Sequence, residues 1–282
     1  MHSAYIRAVA GSSPACGTIK NMNKLKLQKP FIEEYSGKYR MNQRFGVPDK
    51  MYLLINMLGH NGMDWALPIG VKIVASHDGI VTFVGEDDAI KQGYPTRGKG
   101  IEIKTLTKFT FGDKESYAKT LYWHLDKWLV KEGDTVKAGD VIGISGNTGM
   151  STGPHLHWAL KLIDEEGKTV NRGNGYLGAI NQIPYIDIGL SRKILIGLKK
   201  GSRGQGVVDL QKAINYFGYF NEKKYAPNFG NLTASALCDF QLEVMGEELI
   251  GHNYINENIA SNNPICGKLT ANFINQMVIS ST

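Results

Sequence analysis

At 282 residues the chain has room for one large domain or two ordinary ones, and 42% hydrophobic with 21% charged residues is the composition of a globular protein. No run approaches the roughly 20 apolar residues a membrane-spanning helix needs, so stable membrane insertion is not expected. The formal charge of +6 suits an anionic partner, whether nucleic acid, acidic lipid or wall polymer, but the basic residues are scattered. Lys199-Lys200 and Lys223-Lys224 are the densest pairs, and no polyanion is singled out. Cys16, Cys238 and Cys266 stand at spacings that give neither a zinc knuckle nor a disulfide framework, and buried free thiols at Cys238 and Cys266 are the expectation.

Residues 1–21 read as a non-native or disordered leader. Ala8-Val9-Ala10 is too short for the apolar core of a secretion signal, Gly11-Ser12-Ser13-Pro14 is a breaker cluster, and Met22 reads as the biological start. From Tyr35 onward the chain is β-rich. Strands are predicted at 39–46, 71–75, 79–84, 100–104 and 120–125, then at 134–136 and 140–144 around the compact turn Lys137-Ala138-Gly139. Short strands at close spacing, with no long helical pattern between them, predict an antiparallel β-sandwich or open barrel over residues 22–170. Three glycines between Asn171 and Gly178 mark the start of a linker at 171–192. Beyond it, Val207, Val208, Leu210, Ile214 and Phe217 take helical spacing and end at Gly218, a C-cap. Thr233 caps a second predicted helix through Leu237 and Phe240, and Thr270, Phe273 and Ile274 suggest a third, which makes 193–282 a small all-α module.

The chemistry centres on Ser151-Thr152-Gly153-Pro154-His155-Leu156-His157-Trp158. On a strand His155 and His157 leave the same face while Leu156 points into the core. His60 and Asp64 stand four apart in a glycine-rich loop, and His124 lies in a strand-like run. Zinc takes nitrogen and oxygen ligands, and a catalytic zinc keeps one position for water, whose pKa it lowers to about 7. Two histidines and one carboxylate suit such a site, and two further histidines would take a proton and stabilise an oxyanion. Any one of these residues alone is more ordinary: a strand histidine is usually a satisfied core residue, and His60 with Asp64 makes an unremarked loop hydrogen bond. His2, His77 and His252 lack partners and are expected at the surface or in turns, as are Asp78 and Asp126; Glu86-Asp87-Asp88 reads as a solvated loop, and Trp158 as core.

Together these motifs resemble the lysostaphin-type zinc endopeptidases that cut peptidoglycan peptides. The carrying residues are His60-Asn61-Gly62-Met63-Asp64, Trp123-His124-Leu125, and Gly146-Asn147-Thr148-Gly149-Met150-Ser151-Thr152-Gly153-Pro154-His155-Leu156-His157. The flanking runs Asp64–Gly70 and Val136–Gly143 also match, so the resemblance covers 45–161. It implies one Zn2+ per chain held by His60, Asp64 and His157, with His124 and His155 the catalytic pair and His155 the choice of general base. It implies bacterial peptidoglycan as the partner, and no nucleic acid.

The C-terminal region is similar to the three-helix peptidoglycan-binding domain of many wall hydrolases, through Leu198-Lys199-Lys200-Gly201-Ser202-Arg203-Gly204, Val208-Asp209-Leu210-Gln211, Gly218-Tyr219-Phe220, Phe229-Gly230-Asn231-Leu232-Thr233 and Cys266-Gly267-Lys268-Leu269-Thr270. It departs at Pro227-Asn228, where Asp-Gly is usual, and over the long polar stretch 246–264. The expectation is a two-domain wall endopeptidase, made in the host cytoplasm without a signal peptide and acting at the cell wall as a bacteriophage lysin or virion-carried enzyme. The rival is a non-catalytic wall-binding or virion protein on the same fold, against which all five histidine and aspartate positions are filled. A biotinyl-type carrier, prompted by residues 132–140, lacks the displayed lysine and leaves the histidines unexplained.

Overall fold

The computed structural model describes residues 24–87, 96–190, 193–222, 224–250 and 264–276, with only the backbone at 246–250. The leader expectation, Cys16, His2 and His252 lie outside the described residues. Among the described residues eleven strands form the sheet: β1 Met41–Gln43, β2 Met63–Trp65, β3 Lys72–Val74, β4 Gly79–Glu86, β5 Lys99–Thr105, β6 Phe109–Phe111, β7 Lys114–Trp128, β8 Thr135–Val136, β9 Val141–Ser145, β10 Leu156–Ile163 and β11 Ala179–Ile180. The main path runs β1-β2-β10-β7-β5-β4-β8, and every named strand pair is antiparallel. The fold of this region is therefore mostly antiparallel β.

Alternation builds the two sheet faces. Leu156, Trp158 and Leu160 of β10 join Tyr122 of β7 and Ile101 and Ile103 of β5 in the main core. The opposite face carries a separate small cluster of Leu121, Trp123 and Ala159, covered by Phe83. β7 is long enough, at 15 residues, to serve both halves: it pairs β10 and β5 over its middle and β9 at its end.

Four helices are described: α1 Lys50–Leu54, α2 Gln205–Tyr216, α3 Asn231–Ile250 and α4 Lys268–Asn275. α1 falls in a stretch read as β-rich; Asp49 caps it by accepting from the Met51 N–H at 2.8 Å. Thr233 is not the cap of the second helix. α3 begins at Asn231, and the buried Thr233 hydroxyl accepts from Gln211 Nε2 at 2.8 Å instead, tying α3 to α2. Cys266 is a fully buried thiol, whereas Cys238, expected to be buried, is only half-buried.

The helical region packs directly on the sheet. Tyr216 meets Trp65 edge-on with ring centroids 5.8 Å apart, the Met41 N–H donates to Phe217 O at 3.1 Å, and the Tyr219 hydroxyl donates to Met41 O at 2.9 Å. Residues 171–192 contribute β11 and a short 3-10 turn at Ile183–Tyr185, with Ile183 and Ile186 buried in the same core.

Candidate metal centre and active-site cleft

β2 and β10 lie side by side with His157 directly opposite Asp64, and their side chains share the face away from the main core. His60 enters from the loop before β2. Its backbone is pinned at both ends, N–H to Val47 O at 2.8 Å and carbonyl from Gly46 N–H at 2.8 Å, and its ring stacks on Tyr52. His60 Nδ1 donates to Arg44 O at 3.2 Å, which leaves Nε2 with its lone pair turned inward. His60 Nε2 then stands 3.1 Å from His157 Nδ1 and 3.2 Å from Asp64 Oδ1, and His157 Nδ1 stands 3.0 Å from the same oxygen. Gly62 makes this possible: a Cβ there would lie 2.6 Å from His157 Cε1, so any side chain would displace the ring.

Burial alone would raise the Asp64 carboxyl, but His60 and His157 beside it hold it well below the usual carboxylate range. His157 is pushed down by burial, with Asp64 opposing. Asp64 thus stays ionised and His157 tends to neutrality, which are the forms that donate lone pairs to a cation. Two imidazole nitrogens and a carboxylate oxygen converging within hydrogen-bond distance of one another fit a divalent transition metal.

His124 and His155 flank this triad. His124 sits in β7 where the pairing with β5 and with β9 shifts register, and its φ is +65°, in the left-handed region. A non-glycine residue held there is strained, and the bulge turns its ring toward the site. Its Nδ1 donates to Thr148 O at 2.8 Å, and Thr148 is itself fixed by donating its hydroxyl to Leu125 O. Burial, then His157 and His155, pushes His124 down to about 4, so it is neutral at pH 7. His155 Nδ1 donates to Gly153 O at 2.8 Å with Ser151 Oγ at 3.1 Å, and its Nε2 lies 3.7 Å from Asp64 Oδ2. The rings of His124 and His155 are 4.5 Å apart. Both therefore keep Nδ1 protonated and Nε2 available, one atom each with which to hold or move a proton.

All five residues singled out from sequence come together here. His77 does not, and it is not at the surface: it is 5% exposed, with Nε2 bonded to Thr120 Oγ1 at 2.9 Å and Nδ1 to Asp78 O at 2.8 Å. Asp87 is not simply solvated either; its carboxylate pairs with Arg97 at 2.9 Å. The site opens into a cleft of about 570 Å3 lined by residues 41–44, Asp64, residues 152–155 and Leu242, Glu243 and Val244 of α3. The α3 wall has no sequence signal, since it depends on how the helices dock. Arg44 Nε donates to Val244 O at 2.9 Å, and Arg40 pairs with Glu243 at 3.2 Å, which holds that wall beside β1.

An antiparallel sheet that assembles a His-Asp-His donor set, with His124 and His155 at its rim, defines a candidate metallohydrolase centre. Comparison with known proteins narrows the class: residues 58–172 match the model of peptidase family M23, which supports an M23 metallopeptidase assignment for that segment. The peptidoglycan DD-endopeptidase ShyA of Vibrio cholerae is 32% identical over 171 residues, 60% of this chain and 35% of ShyA. The glycyl-glycine endopeptidase ALE-1 of Staphylococcus capitis is 36% identical over 37% of this chain and 25% of its own length. The lysostaphin catalytic domain of Staphylococcus simulans aligns with 25% identity over 58% of this chain and 92% of that one, at a TM-score of 0.35. The chain thus spans about a third or less of the length of these two curated relatives. No described helix is long and apolar enough to cross a membrane.

Proposed function

We propose that this protein is a zinc-dependent endopeptidase that hydrolyses peptide bonds in bacterial peptidoglycan. The observation that carries the reading is the convergence of His60 Nε2, Asp64 Oδ1 and His157 Nδ1 within 3.0–3.2 Å of one another, with His155 and His124 alongside. The match of 58–172 to an M23 model supports it, as do relatives named for peptidoglycan endopeptidase activity. His60, Asp64 and His157 would hold one Zn2+, which when bound polarises a water and the scissile carbonyl. His155 Nε2, beside Asp64, is our choice to take the proton from the attacking water and pass it to the leaving amine. His124, neutral with Nδ1 donating to Thr148 O, presents an Nε2 that can accept a proton, and once protonated there it can donate a hydrogen bond to the developing oxyanion. Leu121, Trp123 and Ala159 form a dry floor beside the centre that strengthens these electrostatic contacts.

We read 22–170 as the catalytic unit and 193–282 as a peptidoglycan-binding module, joined through 171–192. Such a module raises the local concentration of wall at the site. The place of action we propose is the bacterial cell wall, as for relatives named for peptidoglycan endopeptidase activity. The test is digestion of purified peptidoglycan by the wild type and by His155→Ala, with metal assayed on both. Zinc near one per chain, with new amino termini from the wild type alone, is the expected result. Zinc in both and cleavage by neither turns the reading to a non-catalytic wall-binding protein, and a wild type that cannot be loaded with metal removes His60, Asp64 and His157 as ligands.

A further inference from the structure

The sheet face that carries His157 continues beyond the metal centre. Alternation places His157, Ala159 and Lys161 of β10 on it, opposite Trp123, Leu121 and Lys119 of β7, and Lys119 in turn faces Lys104 of β5. Lysines thus occupy register-matched positions on three neighbouring strands, which like-charge repulsion disfavours unless something compensates it. Each of the outlying cations has an acceptor: Lys119 is paired with Glu102, Arg97 with Asp87 at 2.9 Å, and Lys104 donates to Glu165 O at 3.4 Å.

Lys161 differs. Among the described residues its ammonium has neither a hydrogen-bond acceptor nor a carboxylate at ion-pair distance, and Glu102, the carboxylate acting on it, is already committed to Lys119. Burial, then Arg97, Lys119 and Arg172, pushes Lys161 down to about 8. An ammonium taken largely out of water with no partner is costly, and a cationic surround makes it more so. An arriving anion removes both penalties at once. At about 3.3 Å per residue Lys161 lies roughly 13 Å along β10 from His157, the reach of about four residues of extended peptide on the same face.

We infer that Lys161, with Lys119 and Arg172 beside it, is a subsite for a free carboxylate of the peptide being cut. This rests on the peptidase reading above and sharpens it. Stem peptides of peptidoglycan carry free carboxylates, whereas an oligoglycine bridge is neutral along its length, so the subsite selects acidic stem-peptide substrates over glycine bridges.

The test titrates the full chain calorimetrically with a soluble cross-linked muropeptide dimer, once with its carboxylates free and once amidated, the side-chain and C-terminal carboxylates being blocked in separate samples to tell which one binds. The free dimer should bind at least about tenfold tighter, the factor a charge-assisted hydrogen bond supports. Lys161→Met should lose that factor on the free dimer and nothing on the amidated one, and Lys161→Arg should stay within about threefold of the wild type. Equal wild-type affinity for the two dimers, or an equal loss on both in Lys161→Met, overturns the subsite. Cleavage is read in parallel with zinc supplied. Discriminating binding without cleavage upholds the subsite and overturns the peptidase reading, whereas cleavage without discrimination does the reverse.

Discussion

Gly218 follows α2 at φ +84°, and replacing it with alanine tests whether the helices and the sheet unfold as one body. Left-handed backbone costs an alanine about 1–2 kcal/mol, and Gly201, at φ +93° with nothing within 4 Å of its would-be Cβ, isolates that cost. At Gly218 the added Cβ would lie 2.2 Å from Tyr39 O and 2.7 Å from Arg40 Cα. These are backbone atoms of the segment leading into β1, so the end of α2 has to retreat. That breaks the bond from Met41 N–H to Phe217 O and the one from the Tyr219 hydroxyl to Met41 O. At about 1 kcal/mol each, the two bonds bring Gly218→Ala to about 3–4 kcal/mol against about 1–2 for Gly201→Ala. Urea unfolding followed by tryptophan fluorescence is the assay, because Trp65, Trp123, Trp128 and Trp158 all lie in sheet strands, and among the described residues Trp123, Trp128 and Trp158 make no ring contact with the helices. A sheet transition that shifts equally in the two variants would refute the reasoning, since the helical region would then be hanging from the sheet rather than packed on it.

Asp64→Asn keeps the shape of the site and removes its negative charge; zinc affinity, measured by competition with a chelator, should fall more than the roughly 10–100-fold typical of losing a residue that only supports a ligand. His77 bears on acid stability. Burial holds its pKa below 6.5, so as pH drops below about 6.5 the unfolded chain binds a proton that the folded chain does not, and stability declines. His77→Gln should flatten that part of the decline between pH 7 and pH 5.5 in unfolding curves, and an unchanged slope would remove His77 as the cause. Leu242→Trp adds bulk to the α3 wall of the cleft at a position that is 45% exposed. It should raise KM for a cross-linked muropeptide several-fold and leave kcat nearly unchanged, and an effect on kcat alone would mean that the wall contacts the reacting groups instead.

The docking of α3 beside His155 gives the helical region a second consequence. A wall-binding surface on that region would be held at a set distance from the metal centre by Arg40, Arg44 and Tyr219, so binding and cleavage would be geometrically coupled. A flexible tether would set only an effective concentration.

Much of the site is legible in the chain because its signals are local. Period-two alternation through Leu156-His157-Trp158 puts His157 on one face and core residues on the other, and His60 and Asp64 lie within five residues of each other. β5 follows from the same alternation and α2 from apolar residues at helical spacing, whereas β2, β6 and β11 carry no strand expectation. What the sequence cannot carry is the relation between distant segments. His60 meets His157 across 97 positions, and the left-handed turn that aims His124 arises only where β7 changes its pairing between β5 and β9. His77 and Thr233 look like a turn residue and a helix cap, yet both are buried by partners 43 and 22 residues away. The row of Lys104, Lys119 and Lys161 exists only because the registers of three strands align them, and Leu242 reaches the cleft only because α3 docks beside β1. Side-chain periodicity is a property of neighbours along the chain, whereas register and docking are settled by the burial of whole faces against one another, which only the folded chain decides.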